Sequence, residues 1–280
     1  MNHDQKFITI LGCGDSAGVP RAGNDWGACD PTNPRNVRTR SSIAVRSAST
    51  TLVVDTGPDF RLQTARENII SLSAILYTHA HADHVNGIDE LRSYYRRESR
   101  QIPLYADLTT QKYLRQRSDY IFAQENDFYP AVGRIETLAD ENFGTTHYIG
   151  DIEFTPFLQD HGKGVRSLGF RFGDVGYSTD MHDLPAESID TLRGIKTWIV
   201  DGADYLLTTS YFHPNRAELL ALAEKIQPQK IYLTHMGYKL DYEELKRICP
   251  KDFEPAYDGL SFDFNGDVVD RDLPDRTVRA

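Results

Sequence analysis

Three cysteines in 280 residues, at positions 13, 29 and 249, are too few and too widely spaced for a disulfide framework, which points to a reducing compartment. No apolar run approaches the roughly 20 residues needed to cross a bilayer, and the 13 prolines are scattered, so no low-complexity block can be marked out. The first six residues, Met1 to Lys6, carry little positive charge and lead into a β-like run at Phe7 to Leu11, so they do not read as a secretory signal. Basic residues are in deficit, 31 against 41 acidic, for a net charge of −10. Such a field disfavours broad coating of a nucleic acid. What remains is ordinary globular material: 40 % AVILMFWYC plus 20 glycines, or roughly 47 % apolar, in the middle of the range for folded domains. A soluble, cytoplasmic protein is the expectation.

Short β-branched and aromatic runs recur at Phe7–Leu11, Ser42–Val45, Thr51–Val54, Ala74–Tyr77, Ile152–Phe157, Leu168–Phe172, Thr197–Val200 and Ile231–Thr234. Between them, Asp83–Tyr95 places Val85, Ile88, Leu91 and Tyr95 at helical spacing, and Pro214–Ile226 opens with proline as a first-turn residue. A third helix is expected to start at Asp241, with Glu244 in capping-box position. Sheets covered by helices are the predicted α/β (α+β) architecture, in one domain over residues 1–264 followed by a polar tail, 265–280.

The densest chemical signal is Thr78-His79-Ala80-His81-Ala82-Asp83-His84, directly after an apolar strand. Four metal-capable side chains fall within six residues, with three of the nine histidines of the chain among them. Histidines one residue apart on a turn can converge on one ion, while Asp83 and His84, entering the next helix, can reach a second. The bland alternative is a polar loop whose histidines only hydrogen-bond. Further candidate ligands sit at the ends of other runs: His161 after Phe154–Phe157, Asp180 after Val175–Thr179, His235 after Ile231–Thr234. In a layered fold such strand ends gather at one rim.

The series His79-x-His81-x-Asp83-His84, then His161, Asp180 and His235, resembles the metallo-β-lactamase superfamily. Gly12-Cys13-Gly14-Asp15-Ser16-Ala17-Gly18-Val19-Pro20, Arg38-Thr39-Arg40-Ser41-Ser42, Asp55-Thr56-Gly57 and Asp258-Gly259 resemble its phosphodiesterase branch, which includes ribonuclease Z and phosphoribosyl cyclic phosphate phosphodiesterases. The likeness runs from about Phe7 to Phe264. It implies a four-layer αββα sandwich around two divalent ions, Zn or Mn, with His79, His81 and His161 on the first and Asp83, His84 and His235 on the second. Asp180 would bridge them, and a hydroxide held between the ions would be the nucleophile. Asp83 counts in this reading both as a ligand and, with His213, as a catalytic residue. His213 is the expected proton donor, or otherwise a helix cap; His182 is the alternative pocket residue. Ser16, Arg38 and Arg40 are candidates for substrate phosphate, the arginines otherwise forming an ion-paired face. Asp55 and Asp258 are candidate partners for ligand histidines.

Relatives of the cyclic phosphodiesterase type often carry a cysteine-rich zinc site after Gly-Val-Pro, completed by a histidine three residues past the last ligand. Here Gly23–Cys29 keeps one cysteine and position 238 is tyrosine, so no structural zinc is expected, with Trp26 and packing replacing its cross-link. The 19 residues from His161 to Asp180 leave no room for the tRNA-binding arm of ribonuclease Z. The reading is therefore a phosphodiesterase for a small cyclic or nucleoside-type phosphodiester or nucleotide, with no membrane or nucleic-acid partner and a possible homodimer. Competing readings are a tRNA 3′-processing endonuclease, a thioester, lactone or lactam hydrolase, and a non-catalytic metal-binding module.

Overall fold

In the computed structural model, which describes residues 6–124, 126 and 128–270, two seven-stranded sheets face each other. The first runs β14 (Ser261–Asp263), β1 (Phe7–Gly12), β2 (Ser42–Arg46), β3 (Thr51–Val54), β4 (Ala74–Leu76), β5 (Ile102–Ala106), β6 (Gly133–Thr137). The second runs β13 (Phe253–Pro255), β12 (Lys230–Thr234), β11 (Thr197–Asp201), β10 (Val175–Ser178), β9 (Arg166–Phe172), β8 (Ile152–Asp160), β7 (His147–Ile149). Alternation of side chains builds the layers. Leu52 and Val54 of β3 enter the core between the sheets, together with Ile8, Ile43, Phe154, Phe170 and Tyr177, whereas Val53 turns to the opposite face. There it meets α1 (Phe60–Arg66), α3 (Leu91–Glu98) and α4 (Leu108–Phe122) through Phe60, Leu91 and Leu114. α5 (Ala186–Leu192), α6 (Arg216–Ile226) and α7 (Tyr242–Ile248) cover the second sheet with Leu192, Leu219 and Leu245. This is the αββα sandwich. Among the described residues no helix is long and apolar enough to cross a membrane.

Two expected helices have different bounds. The Asp83–Tyr95 pattern is broken into α2 (Ala82–Val85), a 3₁₀ turn at Ile88–Glu90 and α3. The break is at Gly87, whose N–H donates to the Thr56 carbonyl at 2.7 Å and where a Cβ would fall 2.1 Å from the Gly57 oxygen. Pro214 lies outside α6. The cap is Asn215, whose Oδ1 accepts from the N–H groups of Ala217 and Glu218 while Glu218 accepts from the Asn215 N–H. Asp241 caps α7 as expected, accepting from Glu243 and Glu244. Of the polar tail, residues 265–270 turn back on the sheet, Val269 N–H donating to Ser261 O and Gly266 O accepting from Thr197; residues 271–280 lie outside the described residues.

The loop after Val19-Pro20 is tied down by polar groups. Asn36, fully buried, donates to Asp30 O and Asp241 Oδ2 and accepts from Tyr242 N–H and the Arg38 guanidinium. Cys29 Sγ donates to Tyr238 O, and the Arg21 guanidinium lies 4.1 Å over the Tyr238 ring. Trp26, expected to make this cross-link, instead bonds locally to Asn24.

Candidate metal centre

One rim of the sandwich collects the chemistry, because β3, β4, β8, β10, β11 and β12 all end there. Asp55, His79, His161, Asp180, Asp201 and His235 stand at those ends, and α2 adds Asp83 and His84. Three of them, Asp55, Asp180 and His235, hold left-handed backbone at φ +67°, +50° and +55°. For non-glycine residues this costs about 1–3 kcal/mol each and persists where the surroundings over-determine it.

Asp180 is the centre of the arrangement. Its Oδ1 lies 3.5 Å from His161 Nε2 and 3.9 Å from His79 Nε2. Its Oδ2 lies 2.9 Å from His84 Nε2 and 3.3 Å from His235 Nε2. Asp83 Oδ2 completes the second group, 3.2 Å from His84 Nε2 and 3.6 Å from His235 Nε2. His79, His81, His161 and Asp180 thus form one potential ligand set, and Asp83, His84, Asp180 and His235 another. Donor atoms around an ion with bonds of about 2.1 Å sit roughly 3–3.5 Å apart, close to these separations.

The far nitrogens fix which face of each ring points inward. His84 Nδ1 lies 2.7 Å from Asp55 Oδ2, His79 Nδ1 3.0 Å from Thr78 Oγ1, and His161 Nδ1 3.1 Å from Phe212 O. Carboxylate and carbonyl oxygens accept only, so Nδ1 of His84 and His161 carries a proton, which leaves Nε2 as the ring atom a cation can take. Thr78 spends its hydroxyl hydrogen on Asp55 at 2.8 Å, which gives His79 the same tautomer. The Nε2 atoms of His79, His84 and His235 are buried without a hydrogen-bond partner. His84 Nε2 lies at ion-pair distance, 2.9 Å, from the Asp180 oxygen. Buried ring nitrogens without a hydrogen-bond partner, converging on a carboxylate, fit a cation.

Electrostatics follow the same division. Burial and the neighbouring imidazoles push His79 well below the usual histidine range, and burial lowers His161. Burial opposes charge on His84 and His235 too, but Asp180, with Asp55 beside His84, outweighs it and holds both up. Asp180, although buried, is held well below the carboxylate range by His235 and His84. A cation entering the second group would displace protons from these rings.

A sixth histidine faces the two groups. His213 Nδ1 lies 2.7 Å from Asp201 Oδ2, and its ring centroid is 5.3 Å from that of His161 and 5.1 Å from that of His235. Burial opposes its charge, but the Asp201 carboxylate raises it to about 9. The cap of α6 being Asn215, His213 is free of that duty.

Other expected residues are placed differently. Arg38 is 1 % exposed, its guanidinium donating to Asn36 Oδ1 and Gly237 O, so it is spent inside the protein and not on a ligand. Asp258 partners none of the site histidines; it accepts from Cys13 and Thr39 and pairs with Arg66, fixing the first loop to the sheet. Arg40 is partly exposed, paired with Asp59 and donating to Ser16 O. The exposed Ser16 reaches the rim because Cys13 O and Asp15 N–H bond to Met236, next to His235. His182 makes no ring contact with the site histidines among the described residues; its N–H donates to Asp160 O. Asp55 does lie against a histidine of the second group, 2.7 Å from His84 Nδ1. Sequence reasoning missed Asp201, Thr78 and the Phe212 carbonyl, although Asp201 ends its strand just as the other site residues follow theirs.

Loss of the Asp55 carboxylate is expected to weaken the second cation by about 10- to 100-fold, since His84 loses its tautomer and its orientation. Metal titration of Asp55→Ala checks this; unchanged affinity at both sites would remove Asp55 from the account.

With this geometry in place, comparison with known proteins gives the class. Residues 50–236 match the beta-lactamase superfamily domain, and the chain belongs to that family of metallo-hydrolases. A crystal structure of a new diphosphatase from the PhnP family is 31 % identical, with a TM-score of 0.81, covering 92 % of this chain and 97 % of that one. Among curated proteins, an octanoyltransferase from Porphyromonas gingivalis (strain ATCC BAA-308 / W83) is 29 % identical over 257 residues, 90 % of this chain. The chain spans about half of that relative's length, 50 %. The exodeoxyribonuclease YycJ from Bacillus anthracis is 27 % identical over 219 residues, 70 % of this chain and 78 % of its own.

Proposed function

We propose that this protein is a metal-dependent phosphodiesterase acting on a small cyclic or nucleoside-type phosphodiester. The observation that carries the reading is Asp180, one oxygen turned to each ligand group, with a protonatable His213 facing both. His79, His81, His161 and Asp180 would hold one Zn or Mn ion, and Asp83, His84, His235 and Asp180 the other. Two such ions supply Lewis acidity toward phosphoryl oxygens and lower the pKa of a coordinated water.

The protein's own groups supply the rest. His213, with Nδ1 committed to Asp201, presents Nε2 to the site and can carry a proton to a departing alkoxide. The bonds of Met236 to Cys13 and Asp15, and of Arg40 to Ser16 O, support the Ser16 loop and Arg40 as groups that would meet a phosphate. The similarity to a PhnP-family diphosphatase supports phosphorus chemistry. Octanoyl transfer is the name of a protein of which this chain matches half, and it brings no acyl chemistry to this site. The interval from His161 to Asp180 is used up by the turn after β8, by β9 and by β10, which supports a small substrate over tRNA.

Chelator-treated protein is expected to lose hydrolysis of a bis-aryl phosphate and to regain it with Mn or Zn, at two ions per chain. Activity indifferent to chelation would defeat the reading. A reproducible third ion would count against the expectation that no structural metal is bound.

A further inference from the structure

Four large apolar side chains stand exposed within eight residues, on the segment that joins Asp201 to His213: Leu206, Leu207, Tyr211 and Phe212. Tyr211 is 65 % and Phe212 45 % exposed. Isolated surface apolar residues need no explanation, but a contiguous group beside a polar site does. This segment is also firmly held. Phe212 O accepts from His161 Nδ1–H, Asp201 accepts from His213 Nδ1–H, and Asn215 Nδ2 donates to Thr208 O. At Gly162, φ +81°, a Cβ would come within 1.9 Å of Tyr211 O, so the turn after His161 packs directly on the Tyr211 backbone. The aromatic side chains are therefore displayed on rigid backbone.

Their position relates them to the reaction. The Phe212 ring centroid is 6.3 Å from that of His161, and Tyr211 is two residues from the proton donor. Lys163, two residues beyond His161, places its ammonium 4.6 Å from the Tyr211 ring centroid. A cation on one face polarises the ring and steadies it, while the exposure of Tyr211 leaves surface for a planar ligand. A bare ribose phosphate has no flat apolar group to use such a platform. A nucleobase has one, and stacking on an aromatic side chain is worth about 1–3 kcal/mol per base, roughly 5- to 150-fold in affinity.

We infer that Tyr211 and Phe212 form a base-stacking subsite beside His213, which makes the substrate a nucleoside phosphodiester whose base lies on the leaving-alcohol side. This rests on the phosphodiesterase reading above. Two measurements separate the two claims. First, binding of adenosine 5′-monophosphate and of ribose 5-phosphate to the Mn-loaded protein is compared by calorimetry. Wild type is expected to prefer the nucleotide by tenfold or more, Tyr211→Ala to lose most of that ratio, and Tyr211→Phe to keep it. Second, adenosine 2′,3′-cyclic phosphate is compared with its abasic 1-methylriboside counterpart; the kcat/KM ratio should collapse in Tyr211→Ala through KM.

Equal binding of the two ligands by wild type, or a ratio untouched in both Tyr211→Ala and Phe212→Ala, overturns the subsite even where both diesters are hydrolysed. Preferential nucleotide binding without hydrolysis of either diester overturns the phosphodiesterase reading and leaves the subsite standing. If Tyr211→Ala converts a dimer to monomers at an unchanged ratio, the patch is a contact between copies of this chain and the subsite is overturned.

Discussion

Asp180→Asn is expected to reduce phosphodiester hydrolysis by on the order of 10³-fold or more, and to lower bound metal from two ions per chain to one or fewer. The choice of asparagine isolates the cause. It preserves volume, and it tolerates the left-handed backbone at φ +50° as well as aspartate does, so the turn after β10 should survive. What changes is one oxygen and one charge. An amide NH₂ can only donate, so one of the two ligand groups loses its shared atom, and the remaining oxygen is a weaker donor to the other. The neighbouring rings are affected as well. His84 and His235 are held up chiefly by this carboxylate against their burial, and without it both shift toward neutral. The metal-free variant should thus stay folded, with intact near-ultraviolet circular dichroism, while elemental analysis and turnover fall together. Two ions per chain with wild-type turnover in Asp180→Asn would show that this carboxylate bridges nothing.

How much of this was readable beforehand follows from the range of each interaction. His79, His81, Asp83 and His84 are contiguous, and their spacing places them on a turn and the first residues of a helix, so local geometry suffices to see them. His161, Asp180 and His235 are distant in sequence but share one local property, a position just past a β-run, and the layered fold converts that property into proximity. Asp201 has the same property, but its role appears only when His213, on a separate loop, comes to 2.7 Å. Arg38 and Asp258 were misread for the opposite reason. Their sequence neighbourhoods look like ligand loops, yet Asn36 and Gly237 absorb the guanidinium, and Cys13, Thr39 and Arg66 absorb the carboxylate. Those partners are more than a hundred residues away in several cases, and nothing in the local pattern reveals them. The same holds for the left-handed backbone at Asp55, Asp180 and His235.

For the proton donor, the expected result depends on the leaving group. His213→Ala should slow expulsion of a poor alkoxide by about 10²- to 10⁴-fold and expulsion of nitrophenolate, which needs little protonation, by far less. Because Asn215 already caps α6, a general unfolding of the loop is not the expected consequence, and bound metal should be unchanged. Asp201→Asn probes the same proton from the other side. The protonated ring is the active form of an acid, so activity falls as pH rises through its pKa. Burial opposes the charge on His213 and Asp201 sustains it; with a neutral amide in place of the carboxylate the pKa drops. The basic limb of the pH profile for the alkoxide substrate should then move to lower pH, while the nitrophenolate profile keeps its shape. A purely structural His213 would give equal losses on both substrates and an unmoved limb. Asp201 also lies 3.9 Å from His235 Nδ1, so metal content has to be measured in the same samples. A limb that shifts at constant metal content separates the proton from the ions.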